Sequence, residues 1–209
     1  MNIYQMRREY SPEPLEISQL DKDPFVQFGN WFEEASSSGS TEANAVALAT
    51  TGKDMMPSLR MVLLKSFSDQ GFVFFTNYLS KKGRQLSENN RAAMLFYWPG
   101  PVRQARMEGY VSKLSREDSD EYFRSRPALS RASAILSRQS EILEDKQDFD
   151  LQAEYLIKTG DIETRPAHWG GYLLKPVLFE FWQGGRNRSH DRFQYTIKNG
   201  EWNIVRLYP

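Results

Sequence analysis

The sequence predicts an α+β fold built around an antiparallel β-sheet that closes into a barrel, with helices at the margins. Seven or eight strand-like segments follow one another in hairpin-like succession and are separated by turn residues. The strand–helix–strand alternation of a parallel α/β sheet does not occur. The dipeptide Asn199-Gly200 lies between two of these segments and is a strong β-hairpin signal.

The elements follow in order along the chain. Residues 1–22 are polar and predict an extended arm, although a disordered tail is equally compatible with their composition. Asp23 and Pro24 form a helix start, with the aspartate as N-cap and the proline at the first helical position. Residues 36–40 end this helix in a polar loop. Because no linker or repeat follows, we expect one domain over residues 23–209.

Apolar and aromatic runs bounded by turn residues predict the strands, and capping signals predict the other helices. The expected strands are 45–50, 59–64, 72–76, 92–98, 102–114, 172–182, 193–198 and 202–207. A short basic helix is expected over Lys81–Glu88. A third helix begins at the capping box of Ser115 and ends at Pro127, and a fourth covers residues 148–158.

Composition excludes several classes of protein. The chain of 209 residues is 40% hydrophobic, which predicts a packed core. It has no cysteine, so disulfides and thiolate chemistry are excluded, and a reducing cytoplasm is expected. Its two histidines are far apart, so no metal site is expected. Basic and acidic residues number 27 each, which argues against a nucleic-acid or membrane coat. No signal peptide and no apolar run of ~20 residues is present.

Neither a GxGxxG turn nor a P-loop is present, so a bound phosphate must be held by side chains. Arg60 and Lys65 bracket an apolar strand and are either solvated strand ends or ligand groups. Five residues apart on a regular strand, they face opposite sides and would serve different ligands or different ends of one site. Thr76 with Lys81 and Lys82 offers a hydroxyl and two cations, or a solvated basic turn.

Two further clusters carry charge. Tyr122 and Arg126 share a helical face, and after the turn at Pro127 the hydroxyl of Ser130 can join them to bind a phosphate monoester. The segment 181–192 places three arginines and a histidine in seven residues after two glycines, which a purely structural loop does not need. A nucleic-acid loop is the less favoured interpretation, because the total charge is neutral.

Several ordered blocks resemble the pyridoxine 5'-phosphate oxidases over nearly the whole chain. They are RMVLLK at 60–65, FFTN at 74–77, YFRSRP at 122–127, Gln139-Ser140, FWQGG at 181–185 and HDRF at 190–193. The resemblance implies an FMN-binding split β-barrel that forms a homodimer with FMN at the interface. It also implies oxidation of pyridoxine and pyridoxamine 5'-phosphates to pyridoxal 5'-phosphate, by hydride transfer from C4' to flavin N5 and reoxidation by O2 to H2O2.

The resemblance also implies roles for individual residues. Arg60 and Lys82 would hold the FMN phosphate, assisted by Thr76, Lys81 and Ser140. The rest of the flavin site would comprise Met61, Val62, Leu63, Leu64, Lys65, Phe75, Gln104, Gln139, Trp182 and Arg192. The substrate phosphate would bind Lys65, Tyr122, Arg126 and Ser130. Arg188, Ser189 and His190 would lie at the substrate, with Arg188 and His190 near the pyridine ring and C4'. Arg7, Arg8, Glu9 and Tyr10 would belong to an arm that closes over it.

Three positions depart from the family pattern: Lys81 stands for arginine, Phe75 for tyrosine and Ser189 for leucine. Three other functions remain open. A split-barrel flavin reductase would not need the second phosphate-binding set. A non-catalytic protein that binds FMN or pyridoxal phosphate would use the same residues without turnover. A nucleic-acid binder would show salt-sensitive binding.

Overall fold

The computed structural model describes residues 2–6, 10, 13–39 and 42–209. Within them the chain forms five α-helices and nine β-strands. The helices are α1 Pro24–Ser37, α2 Lys81–Glu88, α3 Arg116–Ser125, α4 Ala128–Leu136 and α5 Lys146–Thr159. The strands are β1 Ala45–Thr51, β2 Pro57–Leu63, β3 Ser66–Ser68, β4 Gly71–Asn77, β5 Arg91–Trp98, β6 Arg103–Lys113, β7 Trp169–Gln183, β8 Asp191–Lys198 and β9 Glu201–Arg206. Within the described residues, no helix is long and apolar enough to cross a membrane.

The strands join one sheet in the order β2-β1-β5-β6-β7-β4-β3, with β8 paired to β7 and β9 paired to β8. The pairs β3–β4, β4–β7, β7–β8 and β8–β9 are antiparallel, as expected. Residues 1–48, 93–109 and 176–209 form one compact unit, called here the first unit. Residues 49–92 and 110–175 form the second unit. The expected single domain over residues 23–209 stays a prediction.

The first unit is organised by an aromatic core. The side chain of Asp23 accepts a hydrogen bond from the backbone N–H of Phe25, and Pro24 opens α1, as predicted. The buried face of α1 then packs its Phe28 ring edge-on against Phe96 at 5.0 Å. Trp31 meets Phe181 in the same geometry at 5.2 Å. These contacts bury one face of α1 against aromatic residues of the sheet.

The β8–β9 hairpin confirms the Asn199-Gly200 prediction. Both residues have positive φ, 53° at Asn199 and 85° at Gly200, which are the left-handed conformations that a two-residue I′ turn requires. The register pairs Lys198 with Glu201 directly across the turn. The N-terminal segment is attached to β8, because the backbone N–H of Leu15 donates to the Asp191 carboxylate at 2.9 Å.

The second unit contains α2, α3, α4 and α5. Ser80, Ser115 and Asp145 cap α2, α3 and α5, each accepting a hydrogen bond from a backbone N–H of the first turn. The sequence analysis missed α4, which begins immediately after Pro127. Proline was interpreted there as a helix end, but it is equally suited to a helix start. The buried residues of α4 are Ala132 and Ala134, which belong to different core clusters. Two alanines at this spacing do not give the i, i+3, i+4 pattern that predicts an amphipathic helix.

Candidate functional site

A cavity of about 710 Å³ lies in the second unit, which is a typical size for a small-molecule site. Its wall contains four cationic side chains, from Arg60, Lys65, Lys82 and Arg126. Among the described residues no aspartate or glutamate lines it. A concave wall that carries cations and no carboxylate among its described residues concentrates anions, so this cavity is suited to an anionic ligand.

One group of cavity residues is centred on Lys82, whose side chain is buried. Its Nζ donates to Thr76 Oγ1 at 2.9 Å and to Gln139 Oε1 at 2.8 Å. Burial and the nearby charge of Arg60 lower the pKa of Lys82 from 10.5 to about 8. Arg60 donates to Thr50 Oγ1 at 2.6 Å, and burial lowers its pKa as well. No carboxylate contacts Lys82 among the described residues, so a bound anion would stabilise its charge.

The beginning of α2 places Lys82 at this point. A Cβ on Gly83 would lie 2.2 Å from the carbonyl oxygen of Tyr78, so only glycine allows the chain to turn so tightly there. The adjacent backbone N–H of Lys81 donates to Ser140 Oγ at 3.1 Å. Ser140 itself has a φ of 78°. Lys81 and Ser140 therefore lie beside the Lys82 group, although neither side chain lines the cavity.

The other group of cavity residues is centred on Arg126, at the C-terminal end of α3. Its guanidinium carbon lies 4.5 Å from the centre of the Trp169 ring. Its Nη1 is buried and has no hydrogen-bond partner among the described residues. Burial lowers the pKa of Arg126. Tyr122 stacks on Phe75 at 3.9 Å, and Ser130 from α4 completes this part of the wall.

Arg60 and Lys65 line the same cavity. A shared cavity agrees with both interpretations of their spacing, because two ends of one site can also hold two ligands. β2 ends at Leu63, so the alternation of a regular strand does not extend to Lys65.

The remaining predicted residues that are described lie in the first unit. Trp182 and His190 have ring centres 4.8 Å apart, and Tyr10 lies 6.4 Å from Trp182 and 6.2 Å from His190. The backbone N–H of Gly185 donates to His190 Nδ1 at 3.1 Å, which leaves Nε2 to carry the proton of a neutral ring. Arg188 has a φ of 64° and is exposed. Ser189 is exposed beside it, and Gln104 is a half-exposed residue of β6.

Arg192 is held by a buried carboxylate in the first unit. Its Nη2 and Arg106 Nη2 contact opposite oxygens of Glu180, at 3.0 and 2.6 Å. Arg192 Nη1 also donates to the carbonyl oxygen of Tyr208 at 3.0 Å. This guanidinium is held by a carboxylate, whereas the one at Arg126 contacts no carboxylate among the described residues.

The cavity wall brings together most of the residues predicted for the second unit: Arg60, Met61, Val62, Leu63, Lys65, Phe75, Thr76, Lys82, Tyr122, Arg126, Ser130 and Gln139. Leu64 is buried and lies outside the wall. The wall also contains four residues to which no role was assigned: Asn77, Ser125, Pro127 and Trp169. Arg7, Arg8 and Glu9 fall outside the described residues.

Two family models match the chain. Residues 32–159 match "Pyridoxamine 5'-phosphate oxidase", and residues 169–209 match "Pyridoxine 5'-phosphate oxidase C-terminal dimerisation region". A pyridoxine/pyridoxamine 5'-phosphate oxidase of Aliarcobacter butzleri is 47% identical, with all of both chains covered. A chloroplastic relative from Arabidopsis thaliana is 49% identical over all of this chain, which spans 41% of that protein.

Among solved structures, PhzG from Burkholderia lata superposes with a TM-score of 0.87 at 30% identity, covering 92% of this chain and 95% of that one. An FMN-binding protein from Nostoc punctiforme gives a TM-score of 0.70 at 18% identity, covering 91% of this chain and all of that one, which shows the fold alone. The fold is the predicted antiparallel split β-barrel with peripheral helices. The family models and the full-length relatives agree, and this chain belongs to the pyridoxamine 5'-phosphate oxidase family.

Proposed function

We propose that the chain is an FMN-dependent oxidase that converts pyridoxine 5'-phosphate and pyridoxamine 5'-phosphate to pyridoxal 5'-phosphate. The observation that carries this function is one cavity with two cationic groups, Arg60 with Lys82 and Lys65 with Arg126. Both FMN and these substrates are phosphate monoesters, so two cationic groups suit two phosphates. Family membership supports the same activity, FMN as cofactor and a homodimer.

The Lys82 group is suited to the FMN phosphate. Lys82 and Arg60 supply charge, and Thr76 and Gln139 already orient the Lys82 ammonium through hydrogen bonds. Lys81 and Ser140 lie beside it and assist. The apolar wall from Met61 to Leu63, with Phe75, accommodates the flavin rings. When bound, FMN accepts a hydride from C4' of the substrate and passes the electrons to O2, giving H2O2.

The Arg126 group is suited to the substrate phosphate. The unpartnered Nη1 of Arg126, the ammonium of Lys65 and the hydroxyls of Tyr122 and Ser130 are all donors to a phosphate oxygen. Among the described residues that line this cavity, no carboxylate competes with the phosphate for these donors. These residues orient the substrate from its phosphate and leave C4' to face the flavin.

We assign ligand roles to residues of the first unit as well. Gln104, Trp182 and Arg192 contact the flavin, and FMN lies at the interface of the homodimer. Arg188 and His190 lie near the pyridine ring, where His190 Nε2–H donates to a substrate oxygen or nitrogen. Leu64 supports the flavin wall from the core, and Ser189 lies beside the substrate. The arm with Arg7, Arg8, Glu9 and Tyr10 closes over it and excludes water.

We also propose that the protein works in the cytoplasm, which is supported by the absence of cysteine from the sequence. Fractionation of cells of the source organism, followed by immunodetection, tests this location.

Anaerobic reduction followed by reoxidation tests the oxidase function. The purified protein is expected to show flavin absorption bands that pyridoxine 5'-phosphate bleaches without O2 and that air restores with release of H2O2. Bleaching by a nicotinamide donor and not by either phosphorylated vitamer would identify a flavin reductase instead. Binding of FMN and pyridoxal phosphate without bleaching would identify a non-catalytic binder. Failure to bind FMN would refute the proposal.

A further inference from the structure

Trp169, to which the sequence analysis assigned no role, contacts the Arg126 guanidinium. It is buried at the start of β7, where it pairs in register with Asn77 of β4. The Arg126 guanidinium carbon lies 4.5 Å from its ring centre, within the range of a cation–π interaction. Trp169 also lines the cavity, so its ring and the cation it holds both face the ligand space.

An aromatic face holds a guanidinium differently from a carboxylate. A carboxylate neutralises the charge and accepts hydrogen bonds from the guanidinium nitrogens, as Glu180 does for Arg192. A ring face attracts the cation while the N–H donors, which lie in the guanidinium plane, remain free. The buried, unpartnered Nη1 of Arg126 is consistent with this arrangement. Trp169 can therefore fix the direction of the donors without using them.

Trp169 is itself held rigidly by other rings. It stacks with Phe75 at 5.6 Å and an interplanar angle of 18°, and with Tyr122 at 6.2 Å and 7°. The Phe123 ring meets it edge-on at 5.4 Å. Lys65 Nζ lies 5.9 Å from the centre of Tyr122. The same aromatic stack thus contacts both cations of the proposed substrate-phosphate group.

We propose that Trp169 is a positioning residue that orients the Arg126 guanidinium towards the substrate phosphate. This inference rests on the proposed function. The affinity for the substrate phosphate then depends on an aromatic side chain at position 169, which acts through Arg126. The FMN phosphate, bound by the Lys82 group, is not affected.

The test compares W169L, W169F, R126M and the double variant W169L/R126M as holoproteins. W169L is expected to raise the KM for pyridoxine 5'-phosphate, and the Kd for pyridoxal 5'-phosphate in equilibrium dialysis, by between about fivefold and thirtyfold. W169F keeps an aromatic face and is expected to restore most of this loss. kcat and the Kd for FMN are expected to change less than the KM and the Kd for pyridoxal 5'-phosphate, because Arg126 belongs to the substrate-phosphate group and not to the Lys82 group.

The double variant separates an effect through Arg126 from simple loss of packing. If Trp169 acts through Arg126, W169L adds no further increase in KM or Kd to R126M. F67L is the matched control, because Phe67 stacks on Phe72 at 6.0 Å in the same unit and does not line the cavity. It is expected to leave KM unchanged.

Additive effects of W169L and R126M, or a W169F variant as impaired as W169L, would overturn the inference. A W169L variant that loses FMN affinity and substrate affinity equally would also overturn it. If W169L fails to fold, a W169F variant whose KM and Kd both differ from those of the wild type would overturn it. A wild-type protein that neither oxidises nor binds the phosphorylated vitamers would remove the proposed function together with this inference. A competent wild type with an unchanged W169L would remove the inference alone.

Discussion

The affinity for FMN should weaken as the pH rises from 7 to 9, because the pKa of Lys82 lies at about 8. The cause is burial first and the charge of Arg60 second. In the ligand-free protein the charged fraction of this amine falls from about 0.9 at pH 7 to about 0.1 at pH 9. A phosphate dianion next to Lys82 favours the ammonium, so binding above pH 8 requires uptake of a proton.

The expected size follows from these fractions. If the bound anion holds the ammonium charged throughout the range, the Kd for FMN rises about tenfold between pH 7 and 9, or about 1.4 kcal/mol in binding free energy. The Kd is measured by quenching of FMN fluorescence on titration with apoprotein, at constant ionic strength. K82M is expected to bind more weakly at pH 7 and to lose the pH dependence.

The neighbouring Lys81 provides a matched control, since it is an exposed lysine one residue away. K81M removes one positive charge, as K82M does, but keeps the titrating amine of Lys82. The tenfold change in the Kd for FMN should therefore persist. A wild-type Kd that is constant between pH 7 and 9, or a K82M variant that keeps the full slope, would refute the assignment of Lys82 to the FMN phosphate.

Three further variants test the structure itself by urea unfolding. E180A leaves Arg106 and Arg192 facing each other without their shared carboxylate and should lower the free energy of unfolding by about 2 kcal/mol. The loss is moderate because both arginines keep some solvent contact. An unchanged urea midpoint would contradict a stabilising role for Glu180. G200A places a side chain at a φ of 85° and should lower the free energy of unfolding by about 1 kcal/mol. An alanine substitution at a residue with an extended backbone should not have this cost. D23A removes the N-cap of α1 and should cost about 1 kcal/mol, and D23N should recover most of it.

The sequence predicted an element well where the residue that signals it acts on nearby backbone. Asp23, Ser115 and the pair Asn199-Gly200 act within a few residues of themselves, so their effect can be read from the chain alone. α4 was missed because its two buried residues are alanines with different neighbours: Ala132 packs with Ala153 of α5, and Ala134 packs with Phe123 and Trp169. Those neighbours lie outside the nine-residue segment, and nothing in the segment itself reveals them.

The site residues divide in the same way. Blocks of charged and polar residues identified Arg60, Lys82 and Arg126, and the structure places all three on one cavity wall. Trp169 could not be identified, because an apolar aromatic residue at a strand start is ordinarily part of the core. Its proposed role depends on a distance of 4.5 Å to a residue 43 positions earlier in the chain.

The cavity wall favours anion binding at the expense of the ligand-free fold. Lys82 is buried with its pKa below that of an unfolded lysine, so the unfolded chain binds more protons between pH 8 and 10.5. The free energy of unfolding of the ligand-free protein therefore increases as the pH rises through this range, and the burial of the charged amine is destabilising below it. Arg126 adds a second cation, partly buried, whose Nη1 has no hydrogen-bond partner among the described residues. A carboxylate side chain next to either cation would stabilise the ligand-free fold, but it would compete with the phosphate for that cation. The same buried charges therefore weaken the empty fold and favour phosphate binding.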